Sequence, residues 1–254
     1  MMITAFAPAT VANLSCGFDV LGLAIDHVGD EVSVQLNDLN QVQMAQITGD
    51  NGKLPLVAAD NTAGAAVIAL LAQLDSTQGI DIFLHKKMPL GSGLGSSAAS
   101  AVAATVAANA LLGEPFSKKE LLPFVLAGEK VASGTAHGDN VFPSLLGGIV
   151  LIRSYQPLDV VQLPVPQHIY IVVVHPDVEI LTKEARNILP KQIPMKDGIT
   201  QTANLAGLVA GLYTNDLALI GRSLNDAFAE PYRAPLIPEF DRCKKAALYG
   251  GAIG

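Results

Sequence analysis

The chain has 254 residues, 50% hydrophobic and 15% charged, a balance that fits a globular protein with a sizeable core and excludes an intrinsically disordered one. A net charge of −7 argues against a nucleic-acid partner, because a phosphate backbone demands clustered Lys and Arg. Cys16 and Cys243 form neither a metal-ligand spacing nor a disulfide framework, and residues 1–8 lack a basic segment followed by an apolar core, so a reducing, cytoplasmic compartment is expected.

Residues 2–7 and 18–26 read as strands, with His27-Val28-Gly29-Asp30 as a turn. From Asp30 to Leu36 apolar and polar residues alternate, the pattern of a strand with one covered face. Another strand is expected over 41–48, leaving through Gly49-Asp50-Asn51-Gly52. Residues 61–74 give an apolar helix with Asp60 or Asn61 as N-cap. A strand over 79–85 leads to an Ala-rich helix over 96–112. That helix is too short and too weakly apolar to span a bilayer; small on every side, it is expected to lie buried against a sheet. The helix over 117–131 opens on a capping box of Ser117 and Glu120. A strand over 145–153 precedes a Pro-rich crossing from Pro157 to Pro166, and Ile169 to Val174 reads as a buried central strand. Helices are expected over 182–189, 197–213, 215–228 and 239–249. Strands mixed with helices without regular βαβ alternation give an α+β fold in two layers.

Between the strand over 79–85 and the Ala-rich helix runs Pro89-Leu90-Gly91-Ser92-Gly93-Leu94-Gly95-Ser96-Ser97-Ala98-Ala99. A helix start carries four backbone N–H groups without intrahelical partners and a partial positive charge. Glycines let backbone approach a ligand closely, so the segment is a cradle for an anion, phosphate above all. No Lys follows Gly95 as a P-loop requires, and the spacing is not the G-x-G-x-x-G of dinucleotide folds.

This string resembles the phosphate-binding loop of the GHMP small-molecule kinases. The stretch from Ala7 through Asn13 to Asp19 resembles the family's first motif in its homoserine-branch form, and Gly134 to Val141 resembles that branch's substrate segment. His175-Pro176, Thr182 to Arg186, and Pro231-Tyr232-Arg233 also fit. The likeness runs from residue 4 to the last. It implies a two-lobed α+β fold. Residues 1–155 would be an ATP-binding domain like ribosomal protein S5 domain 2, and residues 156–254 a ferredoxin-like domain. Ala246 to Gly254 resemble the opening of the family's third motif, so the chain is expected to stop within it and the second domain to be incomplete.

The activity implied is ATP- and Mg²⁺-dependent phosphorylation of L-homoserine to O-phospho-L-homoserine, a step toward threonine, with no nucleic-acid or membrane partner and a homodimer as a family-level expectation. Residues 89–99 would hold the phosphates, with Asn61 and Lys86 at the base; an N-cap for Asn61 and plain surface charge for Lys86 remain open. Ser97 and Glu129 would hold Mg²⁺, although Ser97 could also cap its helix and Glu129 could be a solvated charge. Arg186 and Arg233 would take the acceptor's carboxylate, since a planar guanidinium matches it bidentately. Asp19, with Asn13 beside it, would take the ammonium, and His137 and Asn140 would orient the hydroxyl end. Arg186 could equally be a surface ion-pair partner, Asp19 a turn cap and His137 structural. Asp139 aligns with the base of related sugar and mevalonate kinases, whereas the homoserine branch activates the hydroxyl by position and by the γ-phosphate. The alternatives are a relative acting on a sugar or isoprenoid alcohol, and a non-catalytic sensor on the same fold; the two arginines weigh against the first, and Ser97 with Glu129 against the second.

Overall fold

The computed structural model describes residues 1–134, 137–174, 176, 178, 180 and 182–254. Thr135, Ala136 and His175, part of the segments singled out above, lie outside the described residues. The chain falls into two compact units: Met1–Ala12 with Leu23–Gly147, and Asn13–Gly22 with Gly148–Gly254. The division thus comes at 147/148, a few residues before the expected 155, and assigns the loop of residues 13–22 to the second unit.

In the first unit β1 (Met2–Ala12) pairs with β2 (Leu21–Asn37), and β4 (Gly79–His85) runs antiparallel to β2, Val34 facing Ile82. β3 (Val42–Thr48) lies parallel to β4 on its other side. The turn expected at residues 27–30 is not formed; β2 passes straight through, with His27 at φ 67°. Gly29 is required there, because a Cβ would sit 2.1 Å from the Ala7 carbonyl of β1. Asp30, read as a turn residue, is wholly buried.

Helices α1 (Thr62–Gln73) and α2 (Ser96–Leu111) follow the expected spans closely, whereas α3 (Leu122–Ser133) starts five residues later than expected. Along α2, Ala98, Ala99, Ala101, Ala103, Ala104, Ala107 and Ala108 are fully buried. Close approach is the reason for the small side chains: a Cβ on Gly128 of α3 would stand 2.9 Å from Ala66 of α1 and 3.1 Å from Ala101 of α2. Glu120 reaches back to the Ser117 amide at 2.8 Å as a capping box demands. The Ser117 hydroxyl bonds the same carboxylate instead of a helix amide, and α3 starts only at Leu122. A helix absent from the sequence reading, α4 (Gly138–Leu146), takes the first two residues of the strand expected over 145–153.

In the second unit β5 (Ile149–Tyr155) and β6 (Leu158–Leu163) form an antiparallel hairpin, so the supposed Pro-rich crossing contains a strand. The Ile152 amide donates to the Val20 carbonyl at 2.8 Å and fastens the 13–22 loop to β5. Helices α5 (Thr182–Asn187), α6 (Met195–Thr214), α7 (Leu217–Ser223), α8 (Glu230–Arg233) and α9 (Phe240–Tyr249) follow. Ile169 to Val174 is not a buried strand: Tyr170, Val172 and Val174 are 87%, 84% and 76% exposed, and among the described residues none pairs with it in a ladder. Apolar composition made the segment suited to a sheet interior, but a strand is stable only beside a partner. Among the described residues no helix is long and apolar enough to cross a membrane.

Candidate functional site

The glycine-rich loop leaves β4 and enters α2 with Gly91, Gly93 and Gly95 all in the left-handed region, at φ 71°, 71° and 67°. Gly95 is the N-cap of α2 and offers no side chain to its first amides, so that end of the helix is a ready anion site. The position admits nothing larger: a Cβ on Gly95 would lie 2.1 Å from Thr10 Oγ1 and 3.0 Å from Asn140 Oδ1. Thr10 donates its hydroxyl to Asn140 Oδ1 at 2.8 Å and its amide to the Leu94 carbonyl at 3.0 Å. Asn140, expected to orient an acceptor, is therefore brought against the loop by the end of β1.

Lys86 corrects the sequence reading. It does not face a nucleotide; its side chain is buried and its ammonium pairs with Asp30 while donating to the Ser96 carbonyl at 2.7 Å and the Ser100 hydroxyl at 2.9 Å. The same Asp30 carboxylate accepts the amides of Lys87 and Met88 at 2.8 and 3.1 Å. One buried ion pair thus joins residues 86–88, where the loop begins, to residues 96–100, where it ends. Burial pulls the Lys86 pKa down, against the opposing pull of Asp30. Asn61 likewise proves to be the N-cap of α1: Oδ1 accepts the Ala63 amide at 3.0 Å and Nδ2 donates to the Pro55 carbonyl at 3.0 Å.

Ser97, in the first turn of α2, donates its hydroxyl to Glu129 Oε2 at 3.1 Å. Glu129 is no solvated charge; it is 8% exposed on α3. Burial lifts its carboxyl pKa to about 7, the Ser97 hydrogen bond draws it partly back, and the negative charge of Asp139 adds to the rise. Asp139 is itself buried in the first turn of α4, two residues after His137, the N-cap residue of that helix. Two carboxylates and a hydroxyl are hard oxygen donors, the set that suits Mg²⁺, and a dication there would favour the ionised form of Glu129.

In the second unit the 13–22 loop carries three successive non-glycine residues in the left-handed region, Asn13, Leu14 and Ser15 at φ 71°, 44° and 60°, and then Asp19 at 61°. Local hydrogen bonds hold this costly backbone. The Gly17 amide donates to the Asn13 carbonyl at 2.8 Å, and the Asp19 amide to Asn13 Oδ1 at 2.9 Å. Asn13 therefore sets the place of Asp19. The Asp19 carboxylate meets the Arg186 guanidinium as a fork, with Nη1 and Nη2 donating at 2.9 and 2.8 Å, both side chains half-buried. Arg233 donates Nε to the carbonyl of Ala185, the residue before Arg186, at 2.9 Å. The guanidinium carbons of Arg186 and Arg233 lie 5.7 and 5.2 Å from the centre of the Phe18 ring. Gln201 ties α8 to the loop. Its Nε2 donates to the Cys16 carbonyl at 2.8 Å and to Asp226 at 3.0 Å, and Asp226 accepts the Ala229 and Glu230 amides where α8 begins.

Sequence reasoning missed Asp30, Thr10, Phe18 and the Gln201–Asp226 pair. Only Phe18 left a signal, a lone aromatic beside a candidate acid.

Residues 61–148 match the family described as the GHMP kinases N terminal domain. A homoserine kinase of Chlorobium phaeobacteroides (strain BS1) is 48% identical, over 99% of this chain and 82% of that protein. One from Xylella fastidiosa (strain M12) is 45% identical over 98% and 77%. The crystal structure of homoserine kinase from Cytophaga hutchinsonii superposes with a TM-score of 0.97 at 57% identity, covering 100% of this chain and 80% of that one.

Proposed function

The chain belongs to the homoserine kinase family of the GHMP kinases, and from that membership we propose that it transfers the γ-phosphoryl group of ATP to the side-chain hydroxyl of L-homoserine. The observation that carries the substrate is the Asp19–Arg186 fork with Arg233 beside it on Phe18. An α-amino acid head is a carboxylate next to an ammonium; two guanidinia and a carboxylate are its complement. Galactose has neither charge, and mevalonate has no ammonium for Asp19.

In this reading Gly91 to Ala99 cradle the phosphates through backbone amides and the open start of α2. Ser97 and Glu129 would hold Mg²⁺, which neutralises charge on the transferring phosphoryl group when bound. Arg186 and Arg233 take the acceptor's carboxylate, Asp19 its ammonium, and His137 and Asn140 its hydroxyl end. The hydroxyl oxygen bonds the γ-phosphorus, the bond from that phosphorus to the β,γ-bridging oxygen breaks, and ADP leaves. The hydroxyl proton passes to an oxygen of the transferred group. A loose transition state requires no strong base for this step. Asp139, buried beside Glu129, serves as negative charge near the metal position in place of a general base.

A coupled assay of ADP release over L-homoserine, mevalonate and galactose tests the reading. Turnover is expected with L-homoserine alone and only with Mg²⁺; equal turnover on mevalonate overturns the substrate assignment.

A further inference from the structure

We propose that Phe18 is a positioning residue that sets acceptor specificity: its ring is the platform on which Arg186 and Arg233 are arrayed to receive a carboxylate. The proposal rests on the reading of those two arginines as the carboxylate site.

Two guanidinium groups repel one another, and something must gather them. Arg186 comes from α5 and Arg233 from α8, yet both guanidinium carbons lie within 6 Å of one ring centre, at 5.7 and 5.2 Å. The ring's quadrupole attracts each of them. Asp19, the next residue along, fixes one guanidinium as a fork, and the Ala185 carbonyl fixes Nε of the other. Neither bond relates one guanidinium to the other; the shared ring is the group that both approach. The loop is fastened at residues other than Phe18, which is half-buried: through Asn13, through Gln201 on the Cys16 carbonyl, and through the Val20 carbonyl on β5. An aliphatic side chain of similar bulk would fill the space without gathering the cations.

The test compares L-homoserine with 3-aminopropan-1-ol, which keeps the ammonium and the hydroxyl but has no carboxylate. Phe18→Leu and Phe18→Met, each checked by melting, are expected to lower kcat/KM for L-homoserine about tenfold, mostly through KM. Turnover of 3-aminopropan-1-ol and the KM for ATP should stay within about twofold. Phe18→Tyr, which keeps an aromatic face, should retain the wild-type preference. An equal loss on both acceptors, or no loss on either, in whichever aliphatic variant folds overturns the proposal. A wild-type chain that itself fails to prefer L-homoserine overturns the carboxylate reading beneath it, an outcome seen before any variant is made.

Discussion

Ser97 donates a hydrogen bond from its hydroxyl to Glu129, a carboxyl group buried deeply enough to titrate near neutrality. The two come from the first turn of α2 and the middle of α3, so a bond between them fixes the oxygens proposed to hold Mg²⁺ relative to the amides at the start of α2. Glu129→Gln keeps the volume and removes one metal charge. Turnover is expected to vanish at every Mg²⁺ concentration while the circular dichroism spectrum stays native and the metal-free variant melts no lower than the wild type, and EDTA should abolish wild-type activity reversibly. Near-normal activity of the Gln variant at limiting Mg²⁺ would remove Glu129 from the metal site.

The same residue gives a pH dependence. Its pKa rises from 4.5 to about 7 on folding, so between those values the folded chain keeps a proton that the unfolded chain has lost. Stability contributed by that proton is full below pH 4.5 and is lost as pH rises through 7, a fall on the order of 3 kcal/mol from this group. Urea denaturation of the metal-free chain at pH 5 and pH 7.5 should show the loss, and Glu129→Gln should flatten it. An unchanged slope in that variant would assign the effect to another group.

Arg186→Lys and Arg233→Lys are expected to raise the KM for L-homoserine far more than that for ATP. Lys keeps the charge but not the fork. The loss corresponds to about 1.5–3 kcal/mol, the range for a hydrogen bond to a charged group. Steady-state kinetics varying each substrate in turn decides it; equal effects on both would mean that the residues hold the fold.

Gly93 and Gly95 should behave differently despite similar φ values of 71° and 67°. A Cβ at Gly93 meets nothing within 4 Å, so Gly93→Ala should cost only backbone strain, about 1–2 kcal/mol. At Gly95 the same atom collides with Thr10 Oγ1 and crowds Asn140. Gly95→Ala should cost clearly more and abolish ATP binding measured by calorimetry. Equal costs would show that the end of β1 yields easily.

Lys86→Met leaves the Asp30 carboxylate buried without its cation and should cost about 3–5 kcal/mol in chemical denaturation. Adding Asp30→Asn removes the charge and keeps an oxygen for the Lys87 and Met88 amides, so much of that loss should return. A double variant no more stable than the single one would mean that the ion pair contributes little beyond its hydrogen bonds.

What the sequence disclosed was local. The glycine-rich loop was legible because three glycines and an uncapped helix start lie within one short segment, and the structure sets all three glycines in the left-handed region. What it withheld depends on residues far apart in the chain. Asp30 looks like a turn residue until Lys86, 56 positions away, is placed against it, and Asp19 meets Arg186 across 167 positions. Helix α4 was hidden by apparent breakers. Gly138 stands at its first position, where an N–H has no helical acceptor anyway, and Pro143 forgoes a single bond to the Asp139 carbonyl. For Ile169 to Val174, apolarity states a preference for cover but not where cover is to be found.

The alanines of α2 have a further consequence. A core of large interlocked side chains fails by subtraction, because each truncation opens a cavity. The seven buried alanines of this helix have almost nothing to subtract. They are harmed chiefly by growth, since their neighbours already stand close: a Cβ added at Gly128 of α3 would come within 3.1 Å of Ala101. Under random mutation this segment should therefore accept Ser and Gly at positions where Val and Leu are lethal, the reverse of the usual tolerance of a protein interior.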